Sequence, residues 1–209
     1  MSLRAEQSEL RALSYPLYLC TCFAPLSNQP VLQDILSLSC QLTESVIQPS
    51  EHMLKAIRVQ WWIDCIRDLQ RQNSPLLDRI IHHIDSGTID REKLLLLLEG
   101  FQEATFEENP KQYLKQCWGQ VFDFYYAIIG TDFNGSVSVI GSLLAEIIYY
   151  PKENNNIMIK SELNALLLTK SKDGFIKSCA HIVYLSSENK LANHMLLPLR
   201  LFWHALTVK

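Results

Sequence analysis

The chain has 209 residues, of which 48% are hydrophobic and 20% charged, and its formal net charge is -3. This composition excludes a wholly disordered chain and a collagen-like one, and its mildly acidic balance argues against nucleic acid as a partner. The length suits one domain, residues 1–209, because no internal repeat or clear boundary interrupts it.

The first fourteen residues do not resemble a targeting segment, since they mix Arg4 and Arg11 with Glu6 and Glu9. No run of about eighteen apolar residues predicts a transmembrane helix. Six cysteines occur without a CxxC pair, which is typical of buried free thiols. We therefore expect a soluble protein of a reducing compartment, the cytoplasm or an organelle matrix, with at most peripheral membrane contact.

Apolar residues recur at helical spacing in the segment that contains two adjacent tryptophans. The stripe comprises Leu54, Ile57, Trp61, Cys65 and Leu69. We expect Leu54, Ile57 and Leu69 to face the interior together with one of the two tryptophans, Trp61 or Trp62. Aromatic pairs of this kind usually belong to a hydrophobic core.

Helix-starting and helix-ending residues divide the rest of the chain into further helices. Ser86-Gly87 ends one helix, Asp90 is a cap for the next, and Pro110 suits the first turn of another. The predicted helices span residues 76–84, 91–106, 111–129, 137–149, 161–168, 172–184 and 191–206, with loops at 130–135 and 152–156. Strand signals are few, so the predicted fold class is all-α.

Asp64 and Asp68 are four residues apart, so on a helix they share a face and could jointly hold Mg²⁺. Arg67 and Arg71 each follow an aspartate by three residues, and ion pairs on a solvated face account for the same pattern. We favour the ion pairs.

The histidines and the known catalytic motifs give no further indication of a metal site or an active site. Neighbouring helical residues point about 100° apart, so His82 and His83 cannot chelate one metal and are expected at the surface. The remaining histidines have no partner at the spacing of zinc ligands. The chain also contains no GxGxxG, P-loop, GxSxG or HExxH motif.

The segment Lys55-Ala-Ile-Arg-Val-Gln-Trp-Trp-Ile-Asp-Cys-Ile resembles the IRLQWWRDAL segment of the squalene/phytoene synthase family. Four further segments resemble that family in the same order: YLCTCFAP from Tyr18, LLEGFQ from Leu97, residues 149–163, and LLPLRL from Leu196. The similarity covers most of the chain. It is nearest to a short branch of the family that includes a mitochondrial respiratory complex I assembly factor and its bacterial relatives.

This resemblance implies a class I isoprenoid-synthase-like helical bundle. Active members of the family condense prenyl diphosphates with Mg²⁺ held between two acidic motifs, which neutralises the departing diphosphate. The first motif corresponds to residues 38–46, where Glu44 is the only carboxylate, and the second to residues 148–156, where Glu153 is the only one. We therefore assign no catalytic or metal-binding residue and expect no cofactor. The residues that the resemblance places around the former active-site cavity are Glu44, Arg58, Trp61, Trp62, Asp64, Glu103 and Glu153.

Three functions remain open from the sequence. The favoured one is a catalytically degenerate family member that acts through contacts with a protein partner, as an assembly or scaffolding factor. The second is an active Mg²⁺-dependent prenyltransferase, and the third is a non-catalytic protein that binds an isoprenoid or another lipid.

Overall fold

In a computed structural model of the chain, the structure describes residues 8–130, 136–150 and 174–187. Every regular element within these ranges is an α-helix, which confirms the predicted all-α class. The helices are α1 (Ser8–Leu13), α2 (Tyr15–Thr21), α3 (Gln29–Ile47), α4 (His52–Arg67), α5 (Pro75–Asp85), α6 (Arg91–Ala104), α7 (Lys111–Ile129), α8 (Ser136–Tyr149) and α9 (Gly174–Ser187).

The predicted helix ends have a clear physical basis. The side chain of Ser74 accepts a hydrogen bond from the backbone N–H of Leu77 at 3.4 Å and begins α5, and Asp90 begins α6 by accepting from the N–H of Lys93 at 3.2 Å. Gly87 follows α5 with a φ of 72°, a left-handed conformation that favours glycine. The predicted helices 161–168 and 191–206 and the linker 152–156 lie outside the described residues.

Helix α3 is central to the bundle and packs against α1, α2, α4, α5, α6 and α7. Most of its residues are buried, including the hydroxyl-bearing Ser39 and Thr43. Ser39 donates to the carbonyl of Ile35 at 2.8 Å and Thr43 donates to the carbonyl of Ser39 at 2.7 Å. These hydrogen bonds within the helix satisfy the hydroxyl groups, so a helix that carries serine and threonine can be buried on several sides.

Helices α7 and α8 approach each other very closely. A Cβ atom added to Gly141 would lie 2.3 Å from the carbonyl oxygen of Trp118, and one added to Gly119 would lie 3.1 Å from the carbonyl oxygen of Ser138. Glycine at these two positions removes the side chains that would keep the helix backbones apart. On the same pair of helices, Glu146 accepts from the ammonium group of Lys115 at 2.8 Å.

The predicted orientation of α4 is partly wrong. Trp62 is 5% exposed, which confirms that one tryptophan faces the interior, but Leu54 and Ile57 are 43% and 58% exposed and Trp61 is 39% exposed. Leu69 is half-buried. Helix α4 carries apolar residues at helical spacing on both of its sides, and the buried set is Val59, Trp62, Ile63, Cys65 and Ile66.

All six cysteines are free; five are buried as expected, whereas Cys22 is exposed. Cys22 immediately follows α2, where the helix ends at the surface. Among the helices that the structure describes, none is long and apolar enough to cross a membrane.

Candidate functional site

The residues that the family resemblance places around one cavity differ in their exposure to solvent. Arg58, Trp61 and Asp64 are exposed on the outer side of α4, whereas Trp62 is buried beneath them. Trp61 and Trp62 meet edge to face with their ring centroids 4.9 Å apart. The two tryptophans thus link the outer surface of α4 to the core.

The two predicted glutamates that are described lie on other helices. Glu44 is half-buried on α3, and Glu103 is exposed on α6. Glu153 lies outside the described residues. The described members of the set therefore divide into an outer group on α4 and α6, one core tryptophan, and Glu44.

Several uncharged side chains of the described residues lie near Glu44. The indole N–H of Trp118 donates to Thr43 at 3.0 Å, and the rings of Trp118 and Tyr149 are 5.9 Å apart. Burial raises the pKa of the Cys40 thiol to about 12, and burial, together with the neighbouring Cys40, also raises the pKa of Tyr149. Both groups are therefore neutral at pH 7.

Within the part of the chain that the structure describes, the groups near Glu44 do not fit Mg²⁺. The ion prefers several hard, charged oxygen ligands in octahedral geometry. Glu44 supplies one carboxylate, and the groups beside it on α3 and α8 are the neutral Cys40 thiol and the neutral Tyr149 phenol. We therefore derive no catalytic step through a metal at this position.

The outer side of α4 is an apolar surface. Its first three turns expose Met53, Leu54, Ile57 and Trp61, and Met53 is 75% exposed. No acidic residue occurs between positions 52 and 63, whereas Arg58 lies among the apolar side chains. This part of α4 is therefore both apolar and basic.

Helices α4 and α6 are antiparallel neighbours. At one end, the His52 imidazole at the start of α4 donates from Nδ1 to the carbonyl of Thr105, just after α6, at 2.9 Å. At the other end, Arg67 near the end of α4 and Arg91 at the start of α6 line a shallow groove of about 290 Å³. The hydrogen bond at one end and the shared groove at the other indicate which residues of the two helices lie at the same height.

The outer side of α6 is apolar and acidic. It exposes Leu96, Glu99 and Glu103, and Phe106 is exposed just after the helix. Nine large hydrophobic side chains are exposed in the described ranges, and six of them lie on α4 or on α6 and the residues that follow it. We call these outer sides together the α4–α6 face. Such a concentration is typical of an interaction surface, because isolated apolar residues are normally scattered.

The predicted ion pairs of Asp64 and Asp68 are confirmed in part. Arg67 pairs with Asp64 at 3.3 Å, but Arg71 pairs with Asp85 of α5 at 3.1 Å rather than with Asp68. Asp68 caps the end of α4, so Arg71 lies beyond the helix and cannot pair with it by helical spacing.

A partly buried charge network around the buried Asp34 connects three helices and was not predicted from the sequence. Asp34 of α3 accepts from the Nε of Arg79 at 2.7 Å and is 3.0 Å from the Nε2 of His83, both on α5. Arg79 also pairs with Glu9 of α1 at 2.8 Å. The expectation that both histidines lie at the surface is therefore wrong for His83, whereas His82 is exposed. The residues of the network are far apart in sequence, so no local pattern could have found it.

Comparison of the chain with models of protein families, with curated proteins and with solved structures gave no match. The resemblance to the squalene/phytoene synthase family therefore rests on the five sequence segments alone and stays a prediction.

Proposed function

We propose that this chain is a catalytically degenerate member of the squalene/phytoene synthase family that acts through protein contacts. Its role would be that of an assembly or scaffolding factor, like the respiratory complex I assembly factor of the short branch that it resembles. We place it in a reducing compartment, the cytoplasm or an organelle matrix, in keeping with its six free cysteines.

The observation that carries the proposal is the position of Arg58, Trp61 and Asp64. A prenyltransferase needs such residues in an enclosed cavity, because ionisation of an allylic diphosphate requires stabilising charges and the exclusion of water. Here these three side chains are exposed and lie among exposed apolar residues. A solvent-facing aromatic and arginine surface suits the recognition of a protein, since tryptophan and arginine dominate the energetics of interfaces.

Affinity capture from the native host tests the proposal. The wild-type protein should retain specific proteins, and Ile57→Asp should lose them because it places a charge in the apolar surface. Leu26→Asp is the matched control, because Leu26 is 84% exposed on a loop outside the α4–α6 face. Glu44→Ala should retain the same proteins as the wild type. Capture that Ile57→Asp leaves unchanged would contradict the proposal, and co-purified lipid in place of protein would favour the lipid-binding alternative.

A further inference from the structure

We propose that the α4–α6 face binds a second copy of this chain, so that α4 of one protomer lies across α6 of its partner in a two-fold dimer. The inference rests on the proposed function in one respect, that this face is a protein-contact surface. It goes beyond that function because it names the partner, a second copy of the chain, and specifies which residues of α4 and α6 face each other across the interface.

The heights of residues along the two helices support this register. Both helices rise about 1.5 Å per residue, and His52 at the start of α4 contacts Thr105 just after α6. Counting the same number of residues forward from His52 and backward from Thr105 therefore gives two residues at the same height along the helix axes. Six steps lead to Arg58 on α4 and Glu99 on α6, and nine steps lead to Trp61 on α4 and Leu96 on α6. Opposite charges thus share one height and apolar side chains share another.

These charges are available for a partner. Within the described part of the chain, neither Arg58 nor Glu99 belongs to an ion pair, although both are exposed. Twelve steps along the helices add another complementary combination, with Asp64 on α4, which also pairs with Arg67 of its own helix, and Lys93 on α6. The α4–α6 face therefore carries matching charges at two heights that its own chain does not pair with each other.

A two-fold axis brings these groups together. If the axis runs parallel to the two helices and lies outside the α4–α6 face, above the gap between them, it places α4 of one protomer over α6 of its partner at unchanged height. Arg58 of each protomer then faces Glu99 of the other, and each Trp61 faces a Leu96. Every such contact occurs twice because the interface is symmetric.

The size of the face also suits a dimer. Helices of 16 and 14 residues are about 24 and 21 Å long at 1.5 Å per residue, and two packed helices form a layer about 20 Å wide. Such a layer has a projected area of about 480 Å² per partner, which is at the small end of specific interfaces and suits a weak dimer. The outer side of α4 alone is too narrow for this, so the proposal needs α6 as well.

Sedimentation of the full-length protein between about 1 and 200 µM tests the dimer, a range that covers the micromolar affinities of small interfaces. We expect a concentration-dependent dimer that Ile57→Asp abolishes and that the control Leu26→Asp leaves intact. Arg58→Glu and Glu99→Arg should each weaken association by about tenfold or more, because each introduces two like-charge contacts in a symmetric interface. The double variant Arg58→Glu with Glu99→Arg should restore association to within about threefold of the wild type, because the pair is re-formed with its charges exchanged.

Several results would overturn the dimer. These are a monomer at every concentration, a double variant that is no tighter than either single variant, or a monomer that binds phosphatidylserine vesicles through the α4–α6 face. Both charge variants alter exposed side chains, so circular dichroism should show that they fold. A monomer that still captures host proteins in an Ile57-dependent manner would overturn the dimer and leave the proposed function standing. A dimer that captures no other protein would support the two-fold dimer and contradict the proposed function.

Discussion

Replacing Gly141 with alanine should force α7 and α8 apart. The added Cβ would lie 2.3 Å from the carbonyl oxygen of Trp118 and 2.8 Å from the ring of Phe122. Carbon atoms attract one another best at about 3.5–4.0 Å, so both contacts are strongly repulsive. The nearest atom belongs to a helix backbone, which cannot rotate away as a side chain can. The helices must therefore separate and lose part of their packing.

The magnitude follows from two opposing effects. Overpacking a well-packed interior costs about 1–3 kcal/mol, and a backbone contact belongs at the upper end of that range. Alanine is better than glycine in a helix interior by about 1 kcal/mol. The net loss in the free energy of unfolding for Gly141→Ala should therefore be about 1–2 kcal/mol.

Two other helical glycines provide matched controls. A Cβ added to Gly100 would lie 3.1 Å from the side-chain oxygen of Gln120, which can move aside, so Gly100→Ala should stabilise the protein by about 0.5–1 kcal/mol. A Cβ added to Gly119 would meet the carbonyl oxygen of Ser138 at 3.1 Å, a tight contact whose cost offsets the better helix propensity of alanine, so Gly119→Ala should change stability little. Denaturant unfolding with a common slope measures all three variants. Equal stability of the variants at positions 100 and 141 would refute the close approach of α7 and α8.

Three further predictions concern the core. Trp62→Ala should cost about 3–5 kcal/mol in unfolding experiments, and Trp61→Ala, at a partly exposed residue that packs on Trp62, only about 1–2 kcal/mol; equal losses would show that α4 is wrongly oriented. Thr43→Val should cost about 1–3 kcal/mol because it leaves the indole N–H of Trp118 without its acceptor, whereas Thr43→Ser should keep that bond; equal stability of the two variants would contradict it. Burial alone would raise the pKa of Glu146, but its two lysine partners lower the pKa below the usual value. The stability that the Glu146 carboxylate contributes is therefore present above the unfolded-state pKa of about 4.3, and it is lost as the pH falls through the lower folded-state pKa. Glu146→Gln should thus cost about 1.5–3 kcal/mol at pH 7, and a difference from the wild type that persists undiminished in acid would contradict this ion pair.

The sequence predicted the helices best where end signals accompany helical periodicity. Asp90 and Pro110 mark the starts of α6 and α7, and both helices begin where expected. Helix α3 was not predicted as an element of its own, although it is central to the bundle. Its serines, threonine and cysteine interrupt the apolar periodicity, because it is buried on several sides rather than on one.

The same limitation explains the orientation of α4. Periodicity identifies which residues share a helix face but not which of two apolar faces is buried. The set that contains Ile57 and Trp61 and the set that contains Val59 and Trp62 both have helical spacing, and only packing against α3 and α6 separates them. The candidate residues on α4 were therefore found from the sequence, whereas their outward orientation and their alignment with α6 depend on the tertiary structure.

An assay for prenyl transfer distinguishes a catalytically degenerate protein from an active synthase. Purified protein is incubated with labelled farnesyl or geranylgeranyl diphosphate and Mg²⁺ or Mn²⁺, and the products are searched for a condensed hydrocarbon. We expect none, because ionisation of the diphosphate needs several metal ions and each segment that corresponds to an acidic motif has one carboxylate, Glu44 or Glu153. A condensed product that disappears in Glu44→Ala would contradict the account and show that the chain is a prenyltransferase.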